Sequence, residues 1–269
     1  MIKALHIATL LLFLLCCGCQ TSTSHQVLAL PVYIYQNYPP FIINASTQNG
    51  LSYDWITAIN RHLKQIQLKA AVIDRPSLNS KLQHGEPALI LWASLYWFGD
   101  FNDIQGSQPI LWDSDLLVSS ATSPIKNKTQ LAGKKFCAIQ GHKYVALDPW
   151  LSNGSLTRVD RTSYHQCLEM IKLHQADVTQ IDKSTSLYLL SDKARAELNI
   201  MPTPTAAFAR RLLASKTYHP LLPEINAAIR ALNQDEQWKN KLKAYGSQDF
   251  VNLFDLYSED VKELQIDSK

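Results

Sequence analysis

At 269 residues, with 26 Lys and Arg against 23 Asp and Glu, the chain carries a net charge of +3 that is spread out and not gathered into a nucleic-acid-binding block. Its 46% hydrophobic and 18% charged residues, with no low-complexity stretch, exclude a disordered chain and allow one large domain or two lobes at roughly 150 residues per domain. The nine glycines form neither a GxGxxG turn nor a GxxxxGKS/T loop, and no HExxH pair, zinc-type Cys/His spacing or GxSxG elbow occurs. No metal, cofactor or catalytic residue is therefore assigned.

The chain opens with Lys3 as a positive start, an apolar run over residues 8–15 too short to span a bilayer comfortably, and then small residues. That order reads as a cleavable export signal over residues 1–18. The run Leu15-Cys16-Cys17-Gly18-Cys19-Gln20 resembles a bacterial lipoprotein signal, although Cys16 stands where such signals usually carry Leu. The resemblance implies lipidation of Cys19, with residues 19–26 as a polar tether; a cut before Cys17 or a plain secretory cut are the alternatives. The expected address is the periplasm, on a membrane through the lipid. Beyond the leader only Cys137 and Cys167 remain, each among apolar neighbours, so a disulfide and two buried thiols stand as equal readings.

Apolar runs then alternate with segments of helical spacing, which is the sign of an α/β fold with largely parallel strands. Residues 27–35 read as a buried strand. Ser52 is placed to cap a helix whose Trp55, Ile56, Ile59 and Leu63 share one face. A short strand over 70–73, a helix over 77–84 ended by Gly85, and a strand over 88–92 follow. Residues 111–119 read as an extended connector, after which the pattern restarts with a strand over 135–140. Tyr164, Leu168 and Ile171 then form a helical stripe, and residues 178–181 a buried strand. Residues 201–205 interrupt the pattern. A strand over 208–214, a helix from about Leu221 that tolerates Pro223 in its first turn, and another ending before Gly246 complete it. Residues 249–269 read as an acidic tail.

Taken in order, Tyr38-Pro39-Pro40-Phe41, Gly50-Leu51-Ser52-Tyr53-Asp54, Leu131-Ala132-Gly133-Lys134-Lys135, Ala176-Asp177-Val178 and Ile181-Asp182 resemble family 3 periplasmic solute-binding proteins. The match covers residues 28–246. It implies a type II two-lobed fold: two mostly parallel sheets, joined by a two-strand hinge crossing near 110–114 and 205–209, that closes on a small molecule. Lobe 1 would comprise 27–110 plus 208–248, and lobe 2 residues 111–207. It also implies a monomer that captures a small polar or cationic/aromatic ligand and presents it to an ABC-type permease or a membrane sensor. The competing readings are an enzyme of the same fold, such as a cyclic-acid dehydratase, or a ligand-gated partner of a membrane receptor.

The aromatic loop makes Tyr38 a cleft wall and Phe41 a core residue. Amino-acid-binding members of that family usually follow the third strand with a polar contact and an arginine that grips the ligand carboxylate. Here the segment reads Trp92-Ala93-Ser94-Leu95-Tyr96-Trp97-Phe98-Gly99-Asp100. Asp100 would repel a carboxylate and the aromatic faces favour a cation, a ring or a sugar, which puts an ordinary α-amino acid in doubt. Trp92, Ser94, Trp97 and Asp100 are thus assigned to the ligand, with one of the two tryptophans expected in the core. Gly141-His142-Lys143-Tyr144 falls at the turn that the family places against an anionic or polar ligand group, so His142 and Tyr144 join the site. Asp182 follows a buried strand and matches the family's amine-binding aspartate; a helix cap is its other reading.

Overall fold

In the computed structural model, which describes residues 27–99, 101–203 and 207–255, the alternating segments build two sheets flanked by helices. The first sheet contains β1 (Leu28–Ile34), β2 (Ile66–Val72), β3 (Leu89–Ala93), β4 (Ile104–Gly106), β5 (Leu111–Asp113) and the late strand β11 (Phe208–Ser215). Its order is β2-β1-β3-β11-β4, with β5 also pairing β11. The second sheet contains β6 (Asp115–Ser120), β7 (Lys134–Ile139), β8 (Leu156–Arg161), β9 (Val178–Asp182) and β10 (Leu198–Pro202), in the order β10-β6-β9-β7-β8. β1 runs parallel to β2 and β3, and β7 parallel to β8 and β9, while β11, β6 and β10 run against their neighbours. This is the two-lobed α/β arrangement expected from the alternation of strands and helices.

The first lobe packs α1 (Leu51–Ile59), α2 (Arg75–Gln83), α7 (Leu222–Asn233), α8 (Glu236–Leu242) and α9 (Gln248–Asn252) on its sheet. Val32, Ile34, Trp55, Ile59, Ile225 and Ile229 meet on one sheet face, each burial worth about 1.5–3 kcal/mol for an aliphatic side chain. The second lobe carries α3 (Asp148–Ser152), α4 (Tyr164–Lys172), α5 (Lys183–Leu189) and α6 (Asp192–Ala196). Cys137 of β7 and Cys167 of α4 form a disulfide with their Cα atoms 5.4 Å apart, which resolves the two readings of that pair.

Several expectations change in detail. Ser52 does not cap α1: the capping position is Gly50, at φ 137°, and no side chain caps the helix. A Cβ on Gly50 would stand 2.6 Å from the Phe41 carbonyl oxygen, so close backbone approach selects glycine there. Ser52 is instead buried and accepts the indole N–H of Trp92 at 2.9 Å. The strand expected at 70–73 starts at Ile66, because Ile66 and Leu68 alternate inward with exposed neighbours. The connector over 111–119 is two strands broken at Ser114, one in each sheet. Met201 and Pro202 close β10 without interrupting it; β10 is an edge strand, where proline costs no ladder bond. The acidic tail begins later than residue 249, since Phe250, Leu253 and Phe254 pack into the first lobe's core. α5 also reaches that lobe: Leu187 and Tyr188 pack against its core, with Tyr188 beside Tyr245.

Candidate functional site

Where the chain passes from the first sheet to the second, Asp113 ends β5 and Asp115 begins β6. Asp113, at the end of β5, meets Arg210 of β11, whose Nε donates to Asp113 Oδ2 at 2.8 Å. Arg210 is unusual for its strand. Its side chain is 1% exposed and lies among Phe41, Trp97 and Phe208, with its guanidinium carbon 4.7–5.4 Å from their ring centres. Nη1 donates to the Trp92 carbonyl at 3.2 Å. Nη2 stands 2.8 Å from Oδ2 of Asp182, close enough for a strong charge attraction although not aligned as a hydrogen bond. One guanidinium of the first sheet thus holds a carboxylate of the crossing strand and another of the second sheet.

Asp113 also binds the start of α5, where Ser184 donates its backbone N–H at 3.0 Å and its hydroxyl at 2.6 Å. Asp182 precedes that helix but its side chain does not cap it; the cap comes from Asp113. Asp182 receives the Tyr38 hydroxyl at 2.8 Å, so Tyr38 bridges the lobes. The Tyr38 ring lies edge-on to Tyr164 at 5.1 Å and 5.7 Å from His142, both in the second lobe. Asp115 and Asp182 are direct partners in the β6–β9 register, placing two carboxylates side by side on one face. Gln180, two residues before Asp182, shares that face.

Burial governs the ionisation of this centre. It works against the Arg210 charge, yet Asp182 and Asp113 outweigh it and raise the guanidinium well above its ordinary range. Burial, followed by the like charges of Asp182 and Asp113, pushes Asp115 up to about 8. Asp182 is raised by burial and partly restored by Arg210. Burial, with Arg158 and Arg210 nearby, lowers His142 to about 4. Burial raises Tyr35 to about 12. Tyr35 Oη, Gln180 Oε1 and Thr185 Oγ1 are buried atoms with no hydrogen-bond partner among the described residues.

Of the residues expected at the ligand, the structure brings Tyr38, Trp97, His142 and Asp182 to this interlobe centre. Trp92 is corrected: it is fully buried in the first lobe, edge-on to Trp55 and tilted against Phe41, with its indole N–H held by Ser52. Tyr144 is likewise core, packed edge-on to Phe136 at 4.8 Å while its hydroxyl accepts the Ile139 N–H. Ser94 is 4% exposed and accepts the Tyr96 N–H at the start of a 3₁₀ turn, a capping position. Asp100 and Cys19 lie outside the described residues.

Sequence reading missed Asp113, Asp115, Gln180 and Arg210. A signal was present. Alternation in residues 208–215 must turn one of the adjacent Arg210 and Arg211 inward. Among the described residues, no group of three His, Cys, Asp or Glu is placed to hold a metal ion.

Fold and cleft together define the class: a two-lobed periplasmic-binding-protein fold with a charged, aromatic-walled centre between the lobes. No family model matches the chain, and no curated protein matches it. Solved structures do. The glutamate-bound ligand-binding core of GluR0 from Nostoc punctiforme superposes with a TM-score of 0.64 at 16% identity, over 80% of this chain and 98% of that one. An ABC uptake transporter substrate-binding protein from Streptococcus pneumoniae with bound histidine gives 0.63 at 18% identity, over 87% and 94%. The periplasmic domain of BvgS from Bordetella pertussis gives 0.63 at 20% identity, over 84% of this chain and 44% of that one.

Proposed function

We propose that the chain is an extracytoplasmic solute-binding protein that takes a small polar or cationic/aromatic ligand between its lobes and presents it to an ABC-type permease or a membrane sensor. The observation that carries this reading is the set of buried polar atoms without partners among the described residues, Tyr35 Oη just after β1, Gln180 Oε1 in β9 and Thr185 Oγ1 in α5, the last two flanking Asp182. Burying such groups unpaired costs about 1–3 kcal/mol each, a cost that a polar ligand in the cleft removes. Their place agrees with the rule for α/β sheets, since β9 ends at Asp182 and ligands bind beyond the carboxyl ends of parallel strands.

Solved structures of this fold hold glutamate or histidine, and one is the periplasmic domain of BvgS, which supports both the solute and the extracytoplasmic address. The leader over residues 1–18 and a lipid on Cys19 would place the monomer on a membrane, the tether letting it reach its partner. The test is a thermal-shift screen of amino acids, polyamines, sugars and aromatic acids on purified protein. A ligand at 100 times its dissociation constant stabilises by about 2.7 kcal/mol, enough for a clear rise in Tm. A flat response across every class overturns the reading.

A further inference from the structure

We infer that Tyr38 and Arg210 form a built-in latch on Asp182, so that the closed form is the resting state of the chain and a solute enters only when the latch breaks. The inference rests on the solute-binding reading above and assigns the regulation of that same cleft.

Two donors of the first lobe converge on one oxygen of the second. The Tyr38 hydroxyl donates to Oδ2 of Asp182 at 2.8 Å, and Nη2 of Arg210 stands 2.8 Å from the same atom. The carboxylate at the end of β9 is therefore engaged by the protein's own side chains. Tyr38 adds ring contacts to the second lobe, edge-on to Tyr164 at 5.1 Å and tilted against His142 at 5.7 Å. Phe41 of its own lobe meets the Tyr38 ring edge-on at 5.7 Å, which limits the orientations open to it.

Parting the lobes would treat these partners unequally. Arg210 would keep Asp113, because β11 and β5 are paired strands of the first sheet. Asp182 would keep neither Arg210 nor Tyr38. Exchanging one hydrogen bond to a carboxylate for water shifts a two-state equilibrium by roughly tenfold to a hundredfold, so each contact on Asp182 biases the lobes toward closure.

A second set of contacts acts on the same junction. α5 begins directly after Asp182, and its Ser184 donates both its N–H and its hydroxyl to Asp113. Further along α5, Leu187 and Tyr188 pack against the first lobe's core, with Tyr188 beside Tyr245. The end of β9 is thus held by polar contacts and the helix that follows it by apolar ones. A trap that closes on its solute draws the closing free energy from that solute. Here the chain's own side chains supply it.

The experiment measures lobe opening by small-angle X-ray scattering on purified protein, refolded from guanidinium with its disulfide intact to strip any carried solute. The unaltered chain is expected to scatter as the closed structure, and Tyr38→Ala to show a larger radius of gyration. If that variant fails to fold, Tyr38→Phe supplies the second arm, because it removes the hydroxyl and keeps the ring. A solute found in the thermal-shift screen should associate with Tyr38→Phe roughly tenfold faster than with the unaltered chain, since a larger fraction of the variant is open to receive it. Loss of a mere wall contact would change dissociation and leave association alone. An expanded unaltered chain that a solute compacts, or a folded Tyr38→Phe with unchanged scattering and unchanged association, overturns the latch and leaves the solute-binding reading standing. A closed unaltered chain and an expanded variant, neither of which binds any solute class, overturn that reading and keep the latch.

Discussion

The pairs Arg61–Asp235 and Arg210–Asp113 have the same 2.8 Å separation and opposite surroundings. Arg61 and Asp235 meet at the surface of the first lobe, the arginine side chain 44% exposed, while Arg210 and Asp113 meet at the lobe crossing with side chains 1% and 0% exposed. Distance alone would rank them as equals. Water does not: around the first pair it competes for both charges, and around the second it is excluded, so each buried charge depends on its partner. The surface pair decorates a helix start, with Asp235 also accepting the Gln237 and Trp238 N–H groups of α8. The buried pair ties two sheets and a helix cap to one guanidinium.

The widest break in this comparison comes from Arg210→Met, which leaves Asp113 and Asp182 buried without their counter-ion. A loss of about 3–5 kcal/mol is expected, measured as a fall in the urea midpoint. An unchanged midpoint would show that water reaches the crossing. Tyr38→Phe removes one hydrogen bond to the Asp182 carboxylate and should cost about 1.5–3 kcal/mol in the same assay.

Asp115 sharpens the contrast through pH. Its carboxyl is raised in the folded chain to about 8, so between pH 4 and 8 the native state holds a proton that the unfolded chain has released. Its contribution to stability is therefore present below pH 4 and lost as pH rises toward 8; Asp115→Asn should flatten that decline in melting temperature. Asp235 has the opposite sign. Arg61, with the N–H groups of α8, holds Asp235 down at about 2, so its contribution is present above pH 4 and fades as pH falls through 2. Arg61→Met should be the smallest effect of the set: a slight drop in melting temperature at neutral pH that high salt erases. A drop as large as that of Arg210→Met would remove the distinction between the two pairs.

Much of the fold was legible because burial periodicity is local. The apolar runs of β1, β3, β7 and β9, the glycine after α2 and the stripe of α4 each announce their element within a dozen residues. Part of the site was legible as well, since Asp182 closes the buried strand β9 and Tyr38 lies in the aromatic Pro-Pro loop beyond β1. The rest depends on contacts that no local pattern encodes. Arg210 and Asp113 are 97 positions apart and meet only because β11 returns beside β5. Trp92 looked like a cleft residue because its segment is aromatic, but Ser52 of α1 draws its indole into the core. Asp182→Ala carries a folding cost beside any effect on a ligand, because the residue faces Arg210.

The Cys137–Cys167 bond staples the strand that leads into the His142 turn to the helix that begins at Tyr164. Both of these rings touch Tyr38 across the lobes. A cell that makes this chain in a reducing compartment makes it with two thiols and an unfastened wall. Oxidation fastens that wall, so redox history is written into the surface against which the first lobe closes.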